Sequence, residues 1–331
     1  MTVTIRDIAK AANVSVATVS KVLNNKESGI PISEKTRERI LRIAEELQYR
    51  PNIWAKRLAS NCSNVVGVLI DTYLIFSSTI NAQILQGIGE CLDDNGYSLE
   101  LLSKKGINNI TDYLRDLVLS RRIDALLVWI NDLDQDFCRY LDQQGIPHCH
   151  VQRYPASKEC SGVMCDNLGG SYMATKYLIE HGHHNIMTII DLDHIEGKYR
   201  LEGYKKALAE YSIPYNPDLV IEGIYRGTVD ESTLDITKFK KALAYSTAVF
   251  STSDYLAIRA TKLITELTGE PRPVIGFDGL DIMKHYQPPI PTVVQDGYRM
   301  GMVAAERVLK ALGNETLPPE WIFVPTSLRI P

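Results

Sequence analysis

The feature that most restricts the fold is a series of short apolar runs, each leading into an amphipathic stretch, from Asn64 onward. "VVGVLI" precedes a helical pattern over about 81–95, "SLELL" one over about 111–121 and "DALLVWI" one over about 134–144. "NIMTII", "DLVIEG", "TAVFST" and "PVIGF" continue the series. Short continuous apolar runs suit strands buried on both faces, and helical links suit the crossovers that parallel strands require. More such units follow than one sheet comfortably holds, so two similar lobes are predicted. The late strand "PTVVQ" and a helix over 298–312 then return the chain to the first lobe. This places lobe 1 at about 61–161 and 292–323, and lobe 2 at about 162–291 and 324–331.

The first 60 residues read differently. They carry eleven Lys and Arg against six Asp and Glu, a net +5, which leaves −9 on the rest of a chain whose total is −4. A basic head on an acidic body is the asymmetry expected when one part meets nucleic acid. Thr4 and Asp7 have capping-box spacing, and Ile5, Ile8, Ala9 and Ala12 repeat at helical spacing. Asn13 and Val14 break the run. Ser15 caps a second short helix with apolar positions Val16, Val19, Val22 and Leu23. A third helix starts near Ser33, carries Ile40, Ile43, Ala44 and Leu47 on one face, and ends before Pro51. A helix, a tight turn and a helix fit the major groove. Thr18, Ser20 and Asn24 can donate to phosphates, Lys21 can reach a guanine edge, and Val16 or Ala17 a thymine methyl.

The run "TIRDIAKAANVSVATVSKVLNN" followed by "ISEKTRERILRIAEELQYRPNIWAKRLAS" closely resembles the DNA-binding headpiece of the lactose/galactose repressor family of bacterial transcription regulators. The resemblance implies a helix-turn-helix headpiece at 1–50, with Thr4 and Ser15 among its DNA contacts, and a hinge helix at 51–60. In that hinge Asn52 contacts DNA and Leu58 wedges into the minor groove of a pseudo-palindromic operator bound by a homodimer. Trp54 stands in this hinge where the family usually has a smaller side chain. The body is similar to the family's effector-binding core, an α/β two-lobed fold with parallel sheets shared with periplasmic sugar-binding proteins.

Ligands of open parallel sheets settle beyond the carboxyl ends of the strands. The side chains just after the runs are Asp71, Asn131, Gln152 with Arg153, 191–194 including His194, Tyr225, Ser253 with Asp254, and Asp278. The resemblance implies that Arg200 braces the effector and that Asp278 accepts its hydroxyls. A guanidinium fork beside a carboxylate suits vicinal hydroxyls. The expected function is a DNA-binding transcriptional repressor of carbohydrate-use genes, controlled by a sugar or sugar phosphate. The alternative is a regulator of the same fold answering to a protein partner.

Other chemistries find little support. No run is long and apolar enough to span a bilayer, and no signal sequence opens the chain, so a cytoplasmic address is expected. "GIGE" at 87–90 lacks the third glycine of a dinucleotide fingerprint and falls within a helix. No nucleophile with its base and no fixed pair of carboxylates stands out, so no enzyme activity and no cofactor are expected. The six cysteines contain no CxxC pair and read mostly as core fillers. In "HCH" at 148–150, strand alternation sends His148 and Cys149 to opposite faces, and "HGHH" at 181–184 closes a helix, so no metal site is expected.

Overall fold

The computed structural model describes residues 3–23, 31–49, 62–70, 78–103, 109–130, 135–152, 160–192, 195–224 and 233–331. Two units emerge, Met1–Ser63 and Asn64–Pro331.

The first unit is built from helices α1 (Ile5–Ala12), α2 (Val16–Leu23) and α3 (Glu34–Glu46). Local chemistry sets each boundary. The Asp7 carboxylate accepts from the Thr4 amide at 2.8 Å and from the Thr4 hydroxyl at 2.7 Å. Asn13 ends α1 in the left-handed region at φ 52°, which asparagine tolerates better than most residues. Ser15 Oγ then accepts from the Thr18 amide at 3.0 Å, and Ser33 Oγ from Thr36 at 3.3 Å. Ile8, Ala9, Ala12, Val19, Val22, Ile40 and Ala44 form the shared core. Two members of the predicted stripes stay out of it: Val16 is 42% exposed and Leu47 38%. Both lie at the ends of their helices, where the apolar face runs past the neighbouring helix.

The second unit begins with β1 (Val65–Ile70), α4 (Thr79–Asp94), β2 (Ser98–Ser103), α5 (Ile110–Leu119), β3 (Ala125–Trp129), α6 (Gln135–Gln143), β4 (His148–Val151) and β5 (Gly162–Cys165). There follow α7 (Asn167–Glu180), β6 (Ile186–Ile190), α8 (Ile195–Glu210), β7 (Val220–Ile224), β8 (Thr233–Leu234), α9 (Ile236–Leu243), β9 (Ala248–Ser251), α10 (Asp254–Thr268) and β10 (Val274–Asp278). The last elements are α11 (Ile282–His285), β11 (Thr292–Val294), α12 (Gly297–Leu312), β12 (Trp321–Val324) and β13 (Ser327–Arg329). One sheet, all parallel, has the order β12-β5-β4-β3-β1-β2. The other has the order β13-β11-β10-β9-β6-β7-β8, antiparallel only at its two edges.

The two lobes follow the predicted plan, but two boundaries move. Gly162–Cys165 pairs with β4 and β12, so the first crossing lies after Cys165 and not at 161. Thr292–Val294 pairs with β10 and β13, so the return follows Val294 and not 291. A final crossing lies between Val324 and Ser327. Strand membership depends on the partner across the ladder, which local pattern does not specify.

The "GIGE" glycine has a packing role. Helix α4 lies so close to α12 that a Cβ at Gly87 would stand 2.2 Å from the Tyr298 carbonyl, and one at Gly301 would stand 2.1 Å from that of Ile84. Only glycine permits this approach.

Candidate functional site

The second unit gathers polar groups where the strands end. Asp278 closes β10 at φ 128°, a backbone conformation that L-residues rarely adopt. Its Oδ1 accepts from Gln295 Nε2 at 2.8 Å, just past β11, and from Arg200 Nη1 at 3.3 Å. Burial pushes the Asp278 carboxyl upward, and the Arg200 guanidinium offsets part of that.

Arg200 reaches this point from α8 and is 8% exposed. Its Nε donates to Asn167 Oδ1 at 2.8 Å, its Nη1 to the Thr252 carbonyl at 2.5 Å, and the guanidinium lies 3.7 Å from the centroid of the Phe277 ring. Four residues, on α7, after β9 and on β10, therefore fix one guanidinium, while Nη2 takes part in none of these bonds. Ser253, which follows Thr252, keeps its Oγ buried with no hydrogen-bond partner among the described residues, and the same holds for Gln295 Oε1. Buried polar atoms are almost always paired, so Ser253 Oγ and Gln295 Oε1 keep unused bonding capacity where the strands end.

Asp254 behaves differently from its sequence reading. It is fully buried, its Oδ2 accepting from the Leu280 amide at 2.7 Å and its Oδ1 from the Thr292 hydroxyl at 2.5 Å. It braces the turn after β10 against β11 and faces no cleft. Burial first, then the charge of Asp278, pushes its carboxyl up to about 8. Asn167, Thr252 and Gln295 join the site unforeseen by sequence; their only signal was their place directly after strand residues.

In the first unit, α2 turns Val19 and Val22 inward and leaves Ser15, Val16 and Ala17 exposed, with Thr18, Ser20 and Lys21 half-buried. The Thr4 hydroxyl is spent on Asp7. Ser15 Oγ and Thr18 Oγ1 lie 2.8 Å apart, so one hydroxyl donates to the other and the pair keeps a single proton to offer outward. Asn24, Asn52, Trp54, Leu58, Asp71, Asn131, Arg153, His194 and Tyr225 lie outside the described residues.

The histidine clusters separate. His181 Nδ1 meets the Tyr177 carbonyl at 2.7 Å, closing α7, and His183 Nδ1 meets Thr247 Oγ1 at 3.1 Å. In β4, Cys149 does face away from His148, but the same alternation brings His148 and His150 to one face.

Comparison with known proteins supplies the relationship. Residues 4–52 match the bacterial regulatory proteins of the lacI family. Residues 65–228 match the periplasmic binding proteins and sugar-binding domain of that family, and residues 175–330 a periplasmic binding protein-like domain. The HTH-type transcriptional repressor PurR of Vibrio parahaemolyticus serotype O3:K6 (strain RIMD 2210633) is 30% identical over 321 residues, covering 94% of this chain and 92% of that protein. A complex of the transcriptional regulator CelR with cellobiose superposes with a TM-score of 0.68 at 27% identity, covering 99% of this chain and 98% of that one. The Lac repressor dimer bound to operator and the anti-inducer ONPF shares the fold, with a TM-score of 0.74 at 23% identity and the same coverage. With its helix-turn-helix head and its two-lobed α/β body both matched, and a relative of 30% identity along nearly its whole length, the chain belongs to the lacI family of bacterial regulatory proteins.

Proposed function

We propose that this regulator is a dimeric repressor that works in the cytoplasm. In this reading it binds a pseudo-palindromic operator through α2 and releases or grips it according to a small hydroxyl-rich effector bound beside Arg200 and Asp278. The observation that carries the effector half is the pair of orphaned acceptors, Ser253 Oγ and Gln295 Oε1, on residues next to the partners of Arg200: Ser253 adjoins Thr252 and Gln295 bonds Asp278. Hydroxyls donate to such acceptors while accepting from Nη2, which is the bidentate pattern sugars offer. CelR's complex with cellobiose supports that ligand class. Asp71, Asn131, Arg153, His194 and Tyr225, each of which comes soon after an apolar run in the sequence, complete the proposed lining.

On the DNA side, Val16, Ala17 and Lys21 read bases. Ser20, Asn24 and the Ser15/Thr18 pair hold phosphates, and Leu58 with Asn52 engages the minor groove. Thr4 serves the head by starting α1, since its amide and its hydroxyl both donate to Asp7 and neither is left for phosphate. The effector acts through unequal affinity for two lobe arrangements. A thermal-shift screen of sugars and sugar phosphates tests the reading, because a ligand of the folded state raises the melting temperature as the logarithm of one plus the ratio of its concentration to its Kd. A panel that produces no shift, together with an operator affinity indifferent to every compound, would favour control by a protein partner.

A further inference from the structure

Four side chains able to hold a metal meet on the face of the first sheet turned toward α6. Cys138 comes from α6, His148 and His150 from β4, and Cys160 from the residues just before β5. Cys138, His150 and Cys160 are all buried, and their ligand atoms lie within 4.8 Å of one another. His148 lies on the same face of β4 as His150 and next to Cys160, outside that group of three. The geometry points to a structural zinc site formed by Cys138, His148, His150 and Cys160.

One donor-to-donor distance already has the length such a site requires. With Zn–S at about 2.3 Å and Zn–N at about 2.0–2.1 Å, a tetrahedron has a sulfur-to-nitrogen edge of about 3.6 Å. Cys138 Sγ and His150 Nε2 are 3.6 Å apart. The donor set is the two-thiolate, two-imidazole combination that selects zinc over magnesium or calcium. His148 also carries the outer support such ligands need: its Nδ1 faces the Ile146 carbonyl at 3.3 Å and Asp142 Oδ1 at 3.8 Å. A proton fixed on Nδ1 leaves Nε2 as the ligand. A cavity of about 560 Å³ lined by Asp142, His148 and Ser161 borders the His148 side of the cluster. Four protein ligands close the coordination sphere, so the ion would clip α6 to β4 and β5 and leave no position for substrate.

The test is metal content of the untagged, full-length protein purified under reducing conditions. One zinc ion per chain is expected. It should be lost in Cys138→Ser and Cys160→Ser and kept in Cys149→Ser, whose side chain lies on the other face of the same strand. Asp142→Asn should retain the stoichiometry but weaken zinc affinity about 10-fold. Because the serine variants can fail to fold, wild-type protein is also loaded with Co²⁺, which should show thiolate-to-cobalt charge transfer and intense tetrahedral ligand-field bands. A folded chain that takes up neither metal overturns the site. So does a Cys138–Cys160 disulfide found in the protein as purified, or zinc that stays bound in both serine variants. Operator and sugar binding are read separately and do not bear on the outcome.

Discussion

Arg200 holds its place by contacts with four partners and is itself nearly enclosed. Removing it strands the Asp278 carboxylate, so Arg200→Ala should lose about 3 kcal/mol of stability in chemical denaturation as well as the effector response. Arg200→Lys keeps the charge but not the fork. It should stay folded, bind operator with unchanged affinity, and lose most of the effector response in fluorescence anisotropy. Retention of a full response would remove Arg200 from the site. Asp254 gives a pH signature. Its carboxyl is pushed up to about 8, above its unfolded value, so its contribution is fully present below the unfolded value near 4 and is lost as pH rises toward 8. Asp254→Asn should flatten the fall in stability between those limits, where one group supplies at most about 1.4 kcal/mol per pH unit. Denaturant midpoints measured from pH 4 to 8 would show it. Sequence reading placed both aspartates at strand ends, but which one faces the ligand depends on Thr292 and Leu280, far along the chain.

At the scale of elements, α2 divides its faces: Val19 and Val22 hold it to the head, while Val16 and Ala17 stay exposed and Lys21 half-buried on the face proposed to read DNA. Lys21→Ala should cost about 1–3 kcal/mol against a selected operator and relax preference at one base pair, with non-specific affinity much less affected. Binding to a randomised operator library checks both. Packing of α4 on α12 allows no side chain at Gly301, so Gly301→Ala should destabilise the second unit by about 1–3 kcal/mol, seen as a lower denaturation midpoint. The head's helices were legible in the sequence because their caps are local: Asp7 with Thr4, Thr18 with Ser15, Thr36 with Ser33. The core's strands were legible as apolar runs, but β5 and β11 were assigned to the wrong lobes. Asn167 follows β5 and Gln295 follows β11, so two of the three residues missed at the site share their cause with the strands misplaced in the fold. The histidines of β4 were weighed as adjacent neighbours, whereas the ladder brings residues two apart to a common face.

For the whole molecule, three crossings join the lobes: after Cys165, after Val294 and after Val324. Arg200, Asn167 and Gln295 are anchored beside the first two, so a ligand there touches the parts that must bend if the lobes rotate. Small contacts can thereby bias a large rearrangement. Among the described residues no helix is long and apolar enough to cross a membrane, and the relatives bearing names are transcriptional regulators.

The interleaving of the two sheets also imposes an order on synthesis. Residues 321–324 complete an edge of the first sheet and residues 327–329 an edge of the second, while the head has its own core within residues 5–49. A ribosome therefore releases a DNA-reading head long before either half of its controlling body can close. During that interval the nascent chain holds a head with no closed body beside it, and residues 321–329 supply the edge strands that complete both sheets.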